Sequence, residues 1–277
     1  MYQSKSEGRN TLRFFDPKMQ EAITARADID KELRKAIEQN QFELHYQIQV
    51  GSSGQAIGAE ALIRWQHPDR GMISPFDFIP LAEESGLILP IGQWVLEAVC
   101  AQLKAWEKNS LAKDLTIAVN VSAKQFQQNN FVAQVLETIQ RHDVNPTRLE
   151  LELTESMLVD HFTDIISKMT ALNKIGIRIS LDDFGTGYSS LQYLKMLPID
   201  QLKIDQSFVR DINQDTNDRA IVVTIIHVAQ GLGINVIAEG VETELQRQFL
   251  LDNGCTHYQG YLFGKPMSAD MFEALLV

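Results

Sequence analysis

Cysteine is scarce in this chain of 277 residues: Cys100 and Cys255 are its only thiols. Two such distant cysteines cannot build a disulfide scaffold, and neither stands in a cluster with metal-ligand spacing. Basic residues are also in short supply, with 25 lysines and arginines against 36 acidic residues and a net charge of −11. Gripping long nucleic acid through its phosphates needs the opposite balance. A small charged ligand is still compatible if metal ions bring the positive charge. No apolar run approaches the roughly 20 residues of a membrane span. The opening residues, MYQSKSEGRN, are polar and do not make a secretory signal. What is present is a hydrophobic fraction of 44%, enough for one large core or two small ones. The expectation is a soluble, cytoplasmic globular protein with no membrane contact.

The first forty residues differ in texture from the rest. Asp16-Pro17 is a good helix start, with an aspartate cap and proline at the first helical position. Met19, Ala22, Ile29, Leu33, Ala36 and Ile37 then recur at helical spacing, predicting an amphipathic linker helix to about Asn40. From Phe42 the pattern becomes β-rich. Phe42–Val50 and Ala56–Trp65 flank Gly51-Ser52-Ser53-Gly54-Gln55, a hairpin signal. Strand-like runs follow at Leu115–Val121, Leu149–Leu153, Ile177–Leu181, Ile199–Ile204, Ile234–Ala238 and, more weakly, Thr256–Phe263. Helical patterns fall near Phe76–Glu84, Gly92–Asn109, Asn130–His142, Phe162–Ile175, Ser189–Met196, Asp218–Leu232 and Glu242–Asn253, with Gly176, Gly233 and Gly254 as stops. Eight strands in mostly αβ order over about 240 residues match one (β/α)8 barrel. A doubly wound sheet usually needs a G-x-G-x-x-G turn, which is missing. The hairpin makes one strand antiparallel, so the expected fold is an α/β, modified TIM barrel.

The chemistry is carried by what ends each strand: Glu60 with Arg64, Asn120, Glu152, Asp182 with Asp183, Lys203 with Asp205, Glu239 and Gln259. A barrel builds its active site at that rim. Alternation places Glu60, Leu62 and Arg64 on one face, as it does Asn120 with Ser122 and Glu150 with Glu152. One carboxylate at a strand end is more often a solvated loop residue or a helix cap. Five converging on one lysine and one arginine must raise their pKa values or bind cations. Oxygen donors with one amide suit magnesium or manganese rather than zinc. Adjacent aspartates can serve two ions, the arrangement used to hydrolyse phosphodiesters. The six histidines, His45, His67, His142, His161, His227 and His257, lack zinc spacing and are read as surface or packing residues. The Asp182–Leu191 loop, with Gly185 and Gly187 around Thr186, is read as a mobile element that aims the aspartates.

These residues resemble the EAL-domain cyclic di-GMP phosphodiesterases. Glu60-Ala61-Leu62-Ile63-Arg64 matches the signature, joined by Asn120-Val121-Ser122, Glu152-Leu153-Thr154-Glu155, DDFGTGYSSL at 182–191, Lys203-Ile204-Asp205, Glu239-Gly240-Val241-Glu242 and Gln259-Gly260. The resemblance covers residues 41–277 and implies hydrolysis of cyclic di-GMP to linear pGpG with two magnesium or manganese ions. It implies that Glu60, Asn120, Glu152 and Asp182 hold one ion and that Asp182 and Asp183 hold the other. Lys203 would orient water and offset charge, and Glu239 would act as general base or hold a water. Gln47, Leu62, Arg64, Asp205, Glu242 and Gln259 would lie on the substrate side, and Glu155 would anchor the loop. Members often carry proline after the first-strand glutamine, where this chain has Ile48-Gln49. Homodimers are common in the family.

A second resemblance, of Met1–Lys5 with Gly8-Arg9-Asn10 to the closing segment of GGDEF-type domains, implies that residues 1–40 are the end of such a domain plus a linker helix. Two other functions compete with the enzyme. One is a receptor that binds cyclic di-GMP without cutting it, although such members lose metal ligands or loop residues. The other is a barrel enzyme acting on sugar phosphates or carbonyl compounds.

Overall fold

A computed structural model describes residue 29 and residues 31–158, 162–185, 191–212 and 214–277. Nine strands form: β1 Phe42–Gly51, β2 Ala56–His67, β3 Gly71–Ile73, β4 Thr116–Asn120, β5 Leu149–Thr154, β6 Arg178–Phe184, β7 Gln201–Ile204, β8 Asn235–Ala238 and β9 His257–Gln259. Eight of them close a barrel in the order β1-β2-β4-β5-β6-β7-β8-β9, with β9 returning to β1. β1 is antiparallel to both of its neighbours, and the steps from β2 round to β9 are parallel. β3 hangs on the outer edge of β2.

β5 and β7 alternate strictly, although both of their faces are buried. In β5, Leu149, Leu151 and Leu153 join the main hydrophobic core under the helices, while Glu150 and Glu152 face the barrel axis. β7 repeats the pattern, with Leu202 and Ile204 outward and Gln201 and Lys203 inward. The outer faces of these two strands therefore supply cohesion by apolar burial, and their inner faces carry polar groups to the axis. Helices Pro75–Ser85, Ile88–Trp106, Phe131–His142, Phe162–Lys174, Thr216–Leu232 and Glu244–Asp252 cover the barrel. Gly233 ends its helix at φ 73°, a left-handed cap that glycine adopts without steric cost.

Several elements differ from the sequence reading. The last strand is only three residues, because the chain turns at Gly260. A Cβ there would lie 2.2 Å from the Val241 carbonyl oxygen, so this close approach requires glycine. β3 and the short helices Ala123–Phe126, Gln206–Arg210 and Ala269–Leu275 were not anticipated, since such segments are too short for a periodic signal. The linker helix is seen at residues 31–38. Its proposed start at Asp16-Pro17, the GGDEF-like segment, His161 and loop residues 186–190 lie outside the described residues. Among the described residues, no helix is long and apolar enough to cross a membrane.

A second, smaller core stands beside the barrel. Leu33 and Ala36 of the 31–38 helix pack there with Phe42, Trp65, Ile73 and Phe78. The Phe78 and Trp65 rings meet edge-on at 5.6 Å.

Candidate active site

Lys203 is at the centre of the rim and has no solvent exposure. Its Nζ lies 2.5 Å from Glu152 Oε2, 2.7 Å from Glu239 Oε1, 3.4 Å from Asp182 Oδ2 and 3.9 Å from Glu60 Oε1. Asn120 Nδ2 donates to Glu60 Oε1 at 2.6 Å, and Gln259 Nε2 donates to Glu60 Oε2 at 2.5 Å. Gln259 in turn accepts from Gln49 at 3.0 Å and lies 3.2 Å from Gln47 Oε1. Gln47 faces Glu60 in register across the antiparallel pair, which is how β1 reaches the same rim. Ile48, the next residue, turns into the outer core.

The two aspartates are placed by an irregularity in the sheet. The register of β6 on β7 slips between Leu181 and Phe184, and Asp183 adopts φ 56°. A bulge re-aims neighbouring side chains, and aspartate tolerates the left-handed region better than most residues. The Asp183 amide donates to Asp182 Oδ1 at 2.9 Å. At the start of the glycine loop, the Gly185 amide donates to the buried Glu155 carboxylate at 3.1 Å.

Four carboxyls around one ammonium cannot all ionise at ordinary cost. Burial pushes Glu239 up to about 8, with Asp182 and Glu60 adding to the shift against the pull of Lys203. Burial also carries Glu152 well above the usual carboxylate range. Glu60 moves the other way: the cost of its burial is outweighed by Lys203 and by hydrogen bonds from Gln259 and Asn120. Asp183 is raised by burial and then by Asp182 and Asp205. Lys203 resists its own burial and is held well above 10.5 by Glu152, Glu239, Glu60 and Asp182.

Glu152 Oε1 is buried without a hydrogen-bond partner, and the remaining donors are oxygens of the hard-cation type. As placed, no three acidic, histidine or cysteine side chains among the described residues converge on one point, because Lys203 stands between them. The donor chemistry itself fits a divalent cation.

The rim opens on a cleft of about 930 Å³ lined by Gln47, Glu60, Leu62, Arg64, Asn120, Asp182, Asp183, Glu239, Glu242 and Gln259. A more apolar lobe of about 560 Å³ shares Leu62, Arg64, Phe76, Asn120 and both aspartates with it. Asp205 does not line either lobe; its carboxylate caps the next helix through the Ser207 amide at 3.0 Å. Sequence reasoning missed the apolar walls. Phe76 lines both lobes and is 88% exposed; Met72 and Tyr261 line the larger one. The available signal was Ser74-Pro75, a cap and first-turn proline that place an aromatic residue at a helix start, outside any core stripe.

An eight-stranded barrel with one reversed strand and an acid-lined C-terminal rim defines a TIM-barrel protein with an enzyme-like site. The EAL domain model matches residues 30–266, and the chain belongs to the EAL domain family. It is 44% identical over 275 residues to the bifunctional diguanylate cyclase/cyclic di-GMP phosphodiesterase MucR of Pseudomonas aeruginosa, covering 99% of this chain and 40% of that protein. It is 41% identical over 273 residues to the cyclic di-GMP phosphodiesterase PdeR of Escherichia coli, covering 99% and 41%. The chain thus spans about two fifths of the length of these relatives. Among solved structures, the MucR phosphodiesterase in complex with c-di-GMP superposes with a TM-score of 0.86 at 44% identity, covering 88% of this chain and 99% of that one.

Proposed function

We propose that this chain hydrolyses one phosphodiester bond of cyclic di-GMP and releases linear pGpG. The observation that carries the reading is Lys203 buried among Glu60, Glu152, Asp182 and Glu239 at the mouth of a two-lobed cleft. Two lobes meeting at the aspartates suit a ligand with two aromatic bases about a phosphate ring, and exposed Phe76 and Tyr261 offer faces for stacking. The relatives named for this activity and the c-di-GMP complex of MucR support the substrate.

Glu60, Asn120, Glu152 and Asp182 would hold one magnesium or manganese ion, and Asp182 with Asp183 a second. When bound, such ions supply Lewis-acid charge at the phosphate. The protein's own groups do the rest. Water attacks phosphorus in line, its P–O bond forms as the bridging P–O bond to the ribose breaks, and Lys203 offsets the charge gathering on the phosphoryl oxygens. Burial makes Glu239 a stronger base but also holds its proton up to about pH 8, so it would accept the water's proton only once cations beside it have displaced its own. Arg64, half-buried beside the cleft, presents a planar fork to a phosphate oxygen. Gln47, Leu62, Glu242 and Gln259 complete the substrate walls, and Glu155 fixes the start of the 182–191 loop. Asp205 acts on the site through Asp183 and its helix cap. Cytoplasmic location, homodimer pairing and an upstream GGDEF-type domain belong to the same reading.

The test is incubation with cyclic di-GMP and magnesium or manganese, against chelator, with chromatographic analysis of products. Stoichiometric pGpG formed only with metal supports the reading. Intact cyclic di-GMP in every condition refutes it.

A further inference from the structure

The wall that faces the ligand and the second core are the two sides of one stretch of chain. Arg64, Met72 and Phe76 line the cleft. Trp65, Ile73 and Phe78, one or two positions further on, are buried in the second core. The opposite side of that core is the helix at 31–38, through Leu33 and Ala36. Polar contacts tie the same pieces together. Gln41, just beyond the helix, donates its amide to Ala36 O at 3.1 Å, accepts from the Gln66 amide at 2.8 Å and takes the Trp65 indole N–H at 3.0 Å. Glu32 Oε2 lies 3.2 Å from Arg70 Nη2 and 3.4 Å from His67 Nε2. Backbone amides of Asp69 and Arg70 donate to His67 Nδ1, so the ring proton is on Nε2, toward Glu32.

The carboxylates are supported elsewhere. Ala61, Val119, Val121, Leu151, Leu153 and Leu181, the neighbours of Glu60, Asn120, Glu152 and Asp182, belong to the main core. Close-packed cores transmit displacement to what they touch. A shift of the 31–38 helix therefore reaches Arg64, Met72 and Phe76 before it reaches the carboxylates.

We infer that the 31–38 helix is a positioning element for the substrate-binding wall, with Leu33 and Glu32 as its contact residues, so that it sets affinity for substrate rather than the chemical step. This rests on the reading of the cleft as a cyclic di-GMP site. The test compares KM and kcat for cyclic di-GMP in wild type, Leu33→Ala, Leu33→Met and Glu32→Gln, alongside thermal melts. Leu33→Ala is expected to raise KM about three- to tenfold, the loss of part of one wall's contacts, with kcat within about twofold. Glu32→Gln is expected to move KM in the same direction by less, and Leu33→Met, which conserves volume, to restore it. A lowered melting temperature with unchanged KM would show a merely structural helix and overturn the inference. So would a fall in kcat at constant KM. If Leu33→Ala fails to fold, Glu32→Gln decides by the same criteria. A wild type that neither binds nor cleaves cyclic di-GMP removes the reading of the site itself, whereas an active wild type matched by all variants removes only the role of the helix.

Discussion

Glu239 makes the stability of the metal-depleted protein depend on pH in a direction that can be worked out beforehand. In the folded chain its carboxyl holds a proton up to about pH 8, while in the unfolded chain it loses it near 4.5. Between those values the folded state binds the extra proton, so stability is fully present below 4.5 and is lost as pH rises through 8. Lys203 adds no slope in this window, because its raised pKa leaves it charged in both states. One such proton is worth about 1.4 kcal/mol per pH unit. For a domain of this size a kcal/mol moves Tm by about 2–4 °C, giving a fall of roughly 10 °C from pH 5 to pH 8 in chelator. The neutral acid can still accept the Lys203 N–H, so the 2.7 Å contact does not require an ionised Glu239.

The acidic surface also repels itself more as pH rises, so wild type alone does not isolate the effect. Glu239→Gln does, since glutamine copies the protonated form and cannot titrate. Differential scanning fluorimetry in chelator is expected to show a shallower pH slope for Glu239→Gln, by about one proton's worth. In millimolar magnesium the wild-type slope is expected to flatten or reverse, because cations compete with protons for the carboxylates and bind better as pH rises. Equal slopes for wild type and Glu239→Gln in chelator, or a wild-type Tm that climbs toward pH 8 there, would refute the reasoning.

Glu60→Ala and Asp182→Ala each remove an oxygen donor and are expected to abolish turnover; near-normal pGpG formation by purified Asp182→Ala contradicts the assignment. Lys203→Ala leaves three buried carboxyls and the part-buried Glu239 without their cation. It is expected to lower stability in chelator by about 3–5 kcal/mol, part of it regained on adding magnesium. Its kcat is expected to fall about 10²- to 10³-fold with little change in KM, as measured by steady-state kinetics. Glu155→Ala frees the Gly185 amide and is expected to weaken metal affinity about tenfold by titration calorimetry, with no metal contact of its own.

Much of this was legible in the sequence, for identifiable reasons. LELELT and QLKI carry the two-residue period of a strand with one apolar and one polar face, and both faces turned out as written. The opening hairpin pointed to the reversed strand, and the carboxylates at successive strand ends pointed to the rim. Other features left no periodic trace. β3 is three residues long. Phe76 and Tyr261 are exposed aromatics, and a pattern search for buried faces passes over exposed side chains. The placement of Asp183 depends on a register slip that no residue type announces. The helix-capping bond of the Asp205 carboxylate was likewise not readable from its motif.

The inward polar face extends below the site, which bears on why the barrel tolerates it. Beneath Lys203, the buried Glu150 is pushed up by desolvation and accepts from Gln201 at 3.2 Å, continuing the polar face below the site. An isolated ammonium at full burial would be forced to lose its proton. Here it is retained because the carboxyls above supply compensating charge within 4 Å. Burial pushes Glu239 and Glu152 among them upward, and one oxygen of Glu152 is unpartnered. Ion pairs buried this way contribute little net stability, so the outward leucines, isoleucines and valines hold the barrel closed. A divalent cation is the kind of partner whose charge would offset the imbalance at the rim.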